Sequence, residues 1–105
     1  TLFRSTPLVL NPYANSTTTT QAHGLGVIPF YISFAMECLT SELGWTAGEV
    51  VRGNLAPVNG TIQADATNVI LVTQTSMNVV NKSTHIAAGI TPANWKITLT
   101  PYKLT

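Results

Sequence analysis

A chain of 105 residues corresponds to one domain, long enough to bury about two thirds of its unfolded surface without disulfide or metal staples. Its net charge is +1, with Arg4, Arg52, Lys82, Lys96 and Lys103 scattered singly, which excludes the electrostatic footprint of a nucleic-acid binder. A single cysteine excludes an internal disulfide, and the longest apolar run, residues 27–36 with Pro29 and Ser33 inside it, is too short to span a bilayer.

Charged residues make up only 9% of the chain, against about 25% in ordinary soluble domains, and Thr, Asn and Ser supply the polarity. A neutral, hydroxyl-rich exterior lacks the usual deterrent to association, so the composition favours an oligomer or a lattice component. No signal peptide opens the sequence. A first residue of Thr is what removal of an initiator Met leaves, and a trimmed segment would look the same.

In chain order, Leu8-Val9-Leu10, closed by Asn11-Pro12, reads as a first strand, and the β-branched residues 17–20 as a second that runs up to His23. His23, Gly24, Gly26 and Pro29 then set a structural turn. It leads into the most informative segment, residues 28–39, where Ile28, Phe30, Ile32, Phe34, Met36 and Cys38 alternate with mostly smaller or polar residues. Period-2 alternation is the signature of a strand with one buried face, and it places these six side chains in the core. Residues 40–48 form a polar loop holding Gly44, Trp45 and Gly48, and residues 49–52 a short strand. The loop 53–60 carries the tight-turn signal Asn59-Gly60. Ile62, Ala64 and Ala66 mark a further strand, and residues 68–75 and 78–81 suggest consecutive hairpins. Thr91-Pro92-Ala93-Asn94 places a capping residue before a proline, as in one short helical turn. Trp95, Ile97 and Leu99 alternate into a closing strand, where Pro101 limits pairing or marks an edge. The expected architecture is all-β, a compact antiparallel β-sandwich in a single domain, with residues 1–21 as an N-terminal arm and first strands and residues 22–105 as the body.

Chemistry-bearing residues do not assemble into a known reactive pattern. His23-Gly24-Leu25-Gly26 begins like a dinucleotide fingerprint, but Pro29 and the strand that follows remove the helix N-terminus that a pyrophosphate needs. His23, His85, Glu37, Glu42, Glu49 and Asp65 lack metal-ligand spacing, so no metal is expected. Pairing Cys38 with His23 would put the thiol in the core, where thiolate is suppressed. No enzyme activity and no cofactor are therefore expected. His23 is expected to hydrogen-bond the neighbouring turn backbone. Trp45 reads either as an exposed platform for a sugar or partner or as an aromatic capping one end of the fold. Trp95 belongs to the core. Tyr13 and Tyr102, near strand ends, are candidates for a subunit seam. Three Asn-X-Ser/Thr triplets, at Asn15, Asn59 and Asn81, are attributed to chance in so Asn- and Thr-rich a chain.

The turn at residues 23–29, the long strand, Glu42-Leu43-Gly44-Trp45, Gly48-Glu49-Val50, Ala64-Asp65-Ala66-Thr67-Asn68-Val69, Asn81-Lys82 and Thr91-Pro92-Ala93-Asn94-Trp95-Lys96 follow one another in this order. Over residues 22–99 the chain thereby resembles small virion proteins of tailed bacteriophages, which look like β-sandwiches related to tail-fibre tip domains and, remotely, to trimeric H-type lectins. The resemblance implies a homotrimer on the virion surface, made in the host cytoplasm, in contact with other virion proteins and without membrane insertion. No sugar-binding residue carries over, because the Asp, Arg and His arrangement of the lectins has no alignable counterpart. Two functions are compatible with it. One is an adhesin-like tail-fibre or tip component that presents the loops 40–48 and 53–60 to host surface polysaccharide, with Trp45 as the stacking candidate. The other is a capsid-decorating cement or head-fibre protein, attached through its own surface, residues 1–5 and the seam tyrosines.

Overall fold

The computed structural model describes residues 2–52 and 60–104. The chain is all-β, with strands β1 (Leu2–Arg4), β2 (Leu8–Leu10), β3 (Thr18–Ala22), β4 (Tyr31–Cys38), β5 (Val50–Arg52), β6 (Gly60–Ala64), β7 (Asn68–Thr73), β8 (Asn78–Val80), β9 (Ala87–Gly89) and β10 (Trp95–Leu104). Every strand pairing is antiparallel. The Asn59-Gly60 turn signal and most of the loop 53–60 lie outside the described residues.

β10 is the axis of a five-stranded sheet. β4 and then β5 lie on one side of it, and on the other β2 pairs with its first half and β1 with its second. β7 is the centre of a three-stranded sheet between β3 and β6, and β8 and β9 form a hairpin. The pairs Trp95–Cys38, Ile97–Met36, Leu99–Phe34 and Pro101–Ile32 put one row of apolar side chains on the inner face of the larger sheet. Val69 and Leu71 of β7 join Leu8, Met36, Cys38, Trp95, Ile97 and Leu99 in one hydrophobic cluster, so the two sheets share a core.

Several sequence expectations are corrected by this arrangement. The long strand starts at Tyr31, not Ile28, and Ile28 and Phe30 are 67% and 64% exposed. Alternation fixes the side to which a residue points, not whether another layer covers it there. Phe34 and Ile32 are half-buried against the core. Pro101, expected to limit pairing or mark an edge, is fully buried inside the central strand. In an antiparallel strand the N–H and C=O of one residue face the same neighbour, and the Pro101 carbonyl accepts from the Ser5 amide at 3.0 Å. The missing N–H thus falls where residues 5–7 carry the chain from β1 to β2, and no ladder bond is lost. Residues 2–4 are strand β1, paired with β10, where an arm was expected; β2 belongs to the larger sheet and β3 to the smaller one. The expected short helical turn is present as a 3-10 turn over Pro92–Asn94 with Thr91 at its N-cap position, but the Thr91 side chain makes no capping bond and is engaged elsewhere.

Candidate functional site

Three of the four acidic residues, Glu42, Glu49 and Asp65, build turns, and Glu37 lies in β4. Asp65 accepts the amides of Thr67 and Asn68 at 2.8 and 2.6 Å, closing the β6–β7 hairpin. These bonds hold its carboxyl below the usual range. His23, only 5% exposed, fastens the turn that precedes β4 to this hairpin. Its Nδ1 accepts from the Leu25 amide at 3.0 Å, which leaves Nε2 to donate to the Asp65 carbonyl at 2.8 Å. The expected bond from His23 to the neighbouring turn is present, and Gly24 and Gly26 in that turn take φ of +69° and +74°.

Glu42 is the hub of a second cluster. Glu42-Leu43-Gly44-Trp45 is a tight hairpin tip in which the Glu42 and Trp45 backbones exchange hydrogen bonds, with φ of +54° at Leu43 and +79° at Gly44. Positive φ at both central positions is the type I′ geometry, which glycine accepts without strain and leucine only when held, as Leu43 is, against the core. The Glu42 carboxylate accepts from the Thr91 amide (2.8 Å), the Thr91 hydroxyl (2.6 Å), the Asn94 amide group (3.3 Å) and the Trp95 indole (2.8 Å). Desolvation pushes this carboxyl up, and the bonds from Thr91, Trp95 and Asn94 outweigh it, so it titrates below the ordinary glutamate range.

The segment 81–83 closes on the same tip. The Lys82 amide donates to the Leu43 carbonyl at 2.9 Å. A Cβ on Gly44 would stand 2.9 Å from the Ser83 hydroxyl oxygen and 3.2 Å from the Ser83 amide nitrogen, at a φ of +79° that already favours glycine. Trp45 is half-buried, its indole N–H donates to the Val80 carbonyl at 3.0 Å, and the Lys82 ammonium lies 5.3 Å from its ring centroid. Lys82 also pairs with Glu49 at 2.9 Å. Cys38, beneath, is fully buried with its thiol raised by desolvation, and donates to the Thr40 carbonyl at 3.2 Å. Glu42, Trp45, Glu49, Lys82, Thr91, Asn94 and Trp95, spread over 54 sequence positions, thus form one bonded network. Tyr13, expected at a subunit seam, is instead 2% exposed in the core, with its hydroxyl unpartnered among the described residues. Burial, reinforced by the Glu42 charge, pushes its phenol up to about 12.

Among the described residues, two open surfaces bear on recognition. The outer face of the five-stranded sheet is hollow along its centre, where β4 and β10 carry Ser33, Ala35, Thr98 and Thr100, and its rim is raised by Arg4, Glu37, Val50, Arg52 and Tyr102. The result is a groove of about 270 Å³. Tyr102 stacks on Tyr31 with ring centroids 5.9 Å apart. No sequence signal marks this groove, because Arg4 and Arg52 come to one face only through the strand register. The second surface lies where β1, the end of β10 and the start of β4 meet. There Phe3, Val27, Ile28, Phe30, Tyr31 and Leu104 are each 48–67% exposed, Phe3 on the side of the sheet that carries Lys103 and Pro101, and Tyr31 and Leu104 on the other. Among the described residues no group of three or more His, Cys, Asp or Glu could hold a metal ion. No family model, curated protein or solved structure matches the chain.

Proposed function

We propose that this chain is a non-enzymatic surface component of a tailed-bacteriophage virion, a trimeric β-sandwich of the tail-fibre or tip type that contacts host surface glycans. The observation that carries the reading is the convergence of the segments that resemble such proteins. Glu42-Leu43-Gly44-Trp45, Gly48-Glu49, Asn81-Lys82 and Thr91 to Trp95 bond to one another and serve as scaffold. Their acids accept from structural amides and hydroxyls, His23 has both ring nitrogens on backbone, and the Cys38 thiol is enclosed. Groups that would do chemistry in an enzyme are employed here in holding turns, which leaves the open faces for recognition. Trp45 belongs to that scaffold more than to a ligand platform, because its polar edge and one face are already engaged.

The exposed apolar end favours a second reading, a capsid-decorating protein that cements its neighbours through Phe3, Ile28 and Phe30. Deleting the protein from the particle separates the two. Loss of adsorption with unchanged heat stability of the particle is the outcome expected of an adhesin. Normal adsorption with particles that burst more readily on heating leaves decoration as the function. Electron microscopy of particles carrying a labelled copy then gives its position on tail or capsid.

A further inference from the structure

We propose that the outer-face groove of the five-stranded sheet is a binding site for an anionic sugar residue, with Arg4 and Arg52 gripping its carboxylate and neighbouring oxygens. This inference rests on the glycan-contact reading and names the ligand class and the residues. The argument begins with where the cations go. Of the five Lys and Arg in the chain, the three lysines are engaged. Lys82 holds Glu49, Lys96 lies 3.9 Å from Glu37, and Lys103 donates to the Leu25 carbonyl beside the Phe3 ring. Arg4 and Arg52 have no acceptor among the described residues, and both line this groove.

They reach it from opposite edges. Arg4 on β1 is level with Tyr102 and Tyr31, and Arg52 on β5 is level with Ala35 and Thr98, so the two arginines line the floor from its two edges and at its two ends. A guanidinium is a planar fork that matches a carboxylate with two parallel bonds and stays charged at any physiological pH. Two forks at the ends of one hollow suit a small anion and are far too few for a nucleic-acid backbone.

The floor selects among anions. The hydroxyls of Ser33, Thr98 and Thr100 make no hydrogen bond to any described residue, whereas those of Thr17, Thr73 and Thr91 are engaged in the fold. A row of uncommitted hydroxyls can donate and accept, as the hydroxyls of a sugar do. Tyr102, backed by Tyr31, gives one wall an aromatic surface for the apolar face of the ring. Small residues in the middle of β4 and β10 keep the floor low, and the volume of about 270 Å³ sits just under the usual range for small-molecule pockets, as fits a single monosaccharide unit of a longer chain. Glu37, the one acid among the described residues that line the groove, has Lys96 beside it at one end.

The test uses the intact protein, titrated by calorimetry with a short oligogalacturonate, its carboxyl-reduced neutral counterpart and inorganic phosphate. The acidic oligosaccharide is expected to bind, the neutral one at least tenfold more weakly, and phosphate alone more weakly still. Arg4→Ala and Arg52→Ala should each weaken binding about tenfold, and the double variant should abolish it. Arg52→Lys should recover only part, because it keeps the charge and loses the fork. Lys82→Ala, remote from the groove, should bind as the wild type does, and unchanged melting temperatures for the exposed arginine variants establish that they fold. Undiminished binding by the double variant, equal affinity for the neutral oligosaccharide, or phosphate binding as tight as the acidic sugar overturns the proposal. The glycan-contact reading fails separately, if particles lacking the protein adsorb to the host normally. Adsorption that needs the protein but survives Arg4→Ala/Arg52→Ala would keep that reading and sink this one.

Discussion

Glu42 gathers four hydrogen bonds from Thr91, Asn94 and Trp95 onto one carboxylate, and those donors lie about fifty residues further along the chain. Glu42→Gln keeps the shape and replaces one acceptor oxygen by a donor facing other donors. It should cost about 2–3 kcal/mol, read from urea unfolding at neutral pH. The pH dependence has a definite sign. A carboxyl held below its ordinary value contributes stability that is complete above the unfolded pKa and is lost as pH falls through the folded one. Wild type should therefore weaken below about pH 4, and Glu42→Gln should weaken less over the same interval. A parallel fall in both proteins would assign the acid sensitivity to other carboxyls. Tyr13 works in the opposite direction. Burial raises its phenol to about 12, so its contribution is complete below the ordinary tyrosine value and is lost as pH rises from about 10 to 12. Tyr13→Phe removes an enclosed hydroxyl with no partner among the described residues. It should be neutral or stabilising by up to about 1 kcal/mol at pH 7, and it should flatten the alkaline loss of stability. A loss of more than about 1 kcal/mol would mean that the hydroxyl has a bonding role.

At the scale of elements, β4 and β10 carry the core, and their inner row ends where the covering layer ends. Leu99→Ala, at a fully buried position, should cost about 2–5 kcal/mol. Ile28→Ser, in the same alternating run by sequence but 67% exposed, should change stability by less than about 0.5 kcal/mol. Equal losses at the two sites, measured by chemical denaturation, would restore Ile28 to the core. This contrast also marks what was legible in the sequence. Periodicity identified Met36, Cys38, Trp95, Ile97 and Leu99 as inward-facing, since the period belongs to the pleat itself. It could not place the limit at Tyr31, because coverage depends on the other sheet. β1 (Leu2–Arg4) and β9 (Ala87–Gly89) escape a sequence reading altogether. Each has three residues, too few for a period, and Ala-Ala-Gly has little intrinsic strand preference. Pro101 misleads for a similar reason, since its harmlessness depends on Ser5 and on the break between β1 and β2. The turn at His23 was legible because its bonds are local, while the groove between Arg4 and Arg52 exists only in the register of four strands.

For the molecule as a whole, the radius of gyration of 14.1 Å and extents of 42 × 27 × 20 Å describe a body longer than a sphere of this chain length, for which about 13 Å is expected. At one end of the larger sheet, Phe3, Val27, Ile28, Phe30, Tyr31 and Leu104 stand in solvent in a chain that is otherwise short of charge. Lys103, directly across from Phe3 in the register, lays its ammonium 5.6 Å from that ring and does little to separate copies. A patch of this kind on a neutral protein calls for a cover, and the simplest is the same patch on further copies arranged about a closed axis, since a contact that failed to close would grow filaments. The proposed homotrimer would draw its seam from Phe3, Val27, Ile28 and Phe30, with Tyr13 excluded by its burial and Tyr102 left to the groove. Ile28→Ser combined with Phe30→Ser should then shift the sedimentation or light-scattering mass from three chains to one at micromolar concentration. The melting temperature of the isolated chain should stay close to that of dissociated wild type, since neither side chain supports the core. A wild type that remains a monomer at tens of micromolar removes the autonomous trimer. If the double substitution nevertheless abolishes attachment to particles, the apolar end is the seat of another virion protein, and the charge-poor surface is explained by the lattice into which the chain inserts.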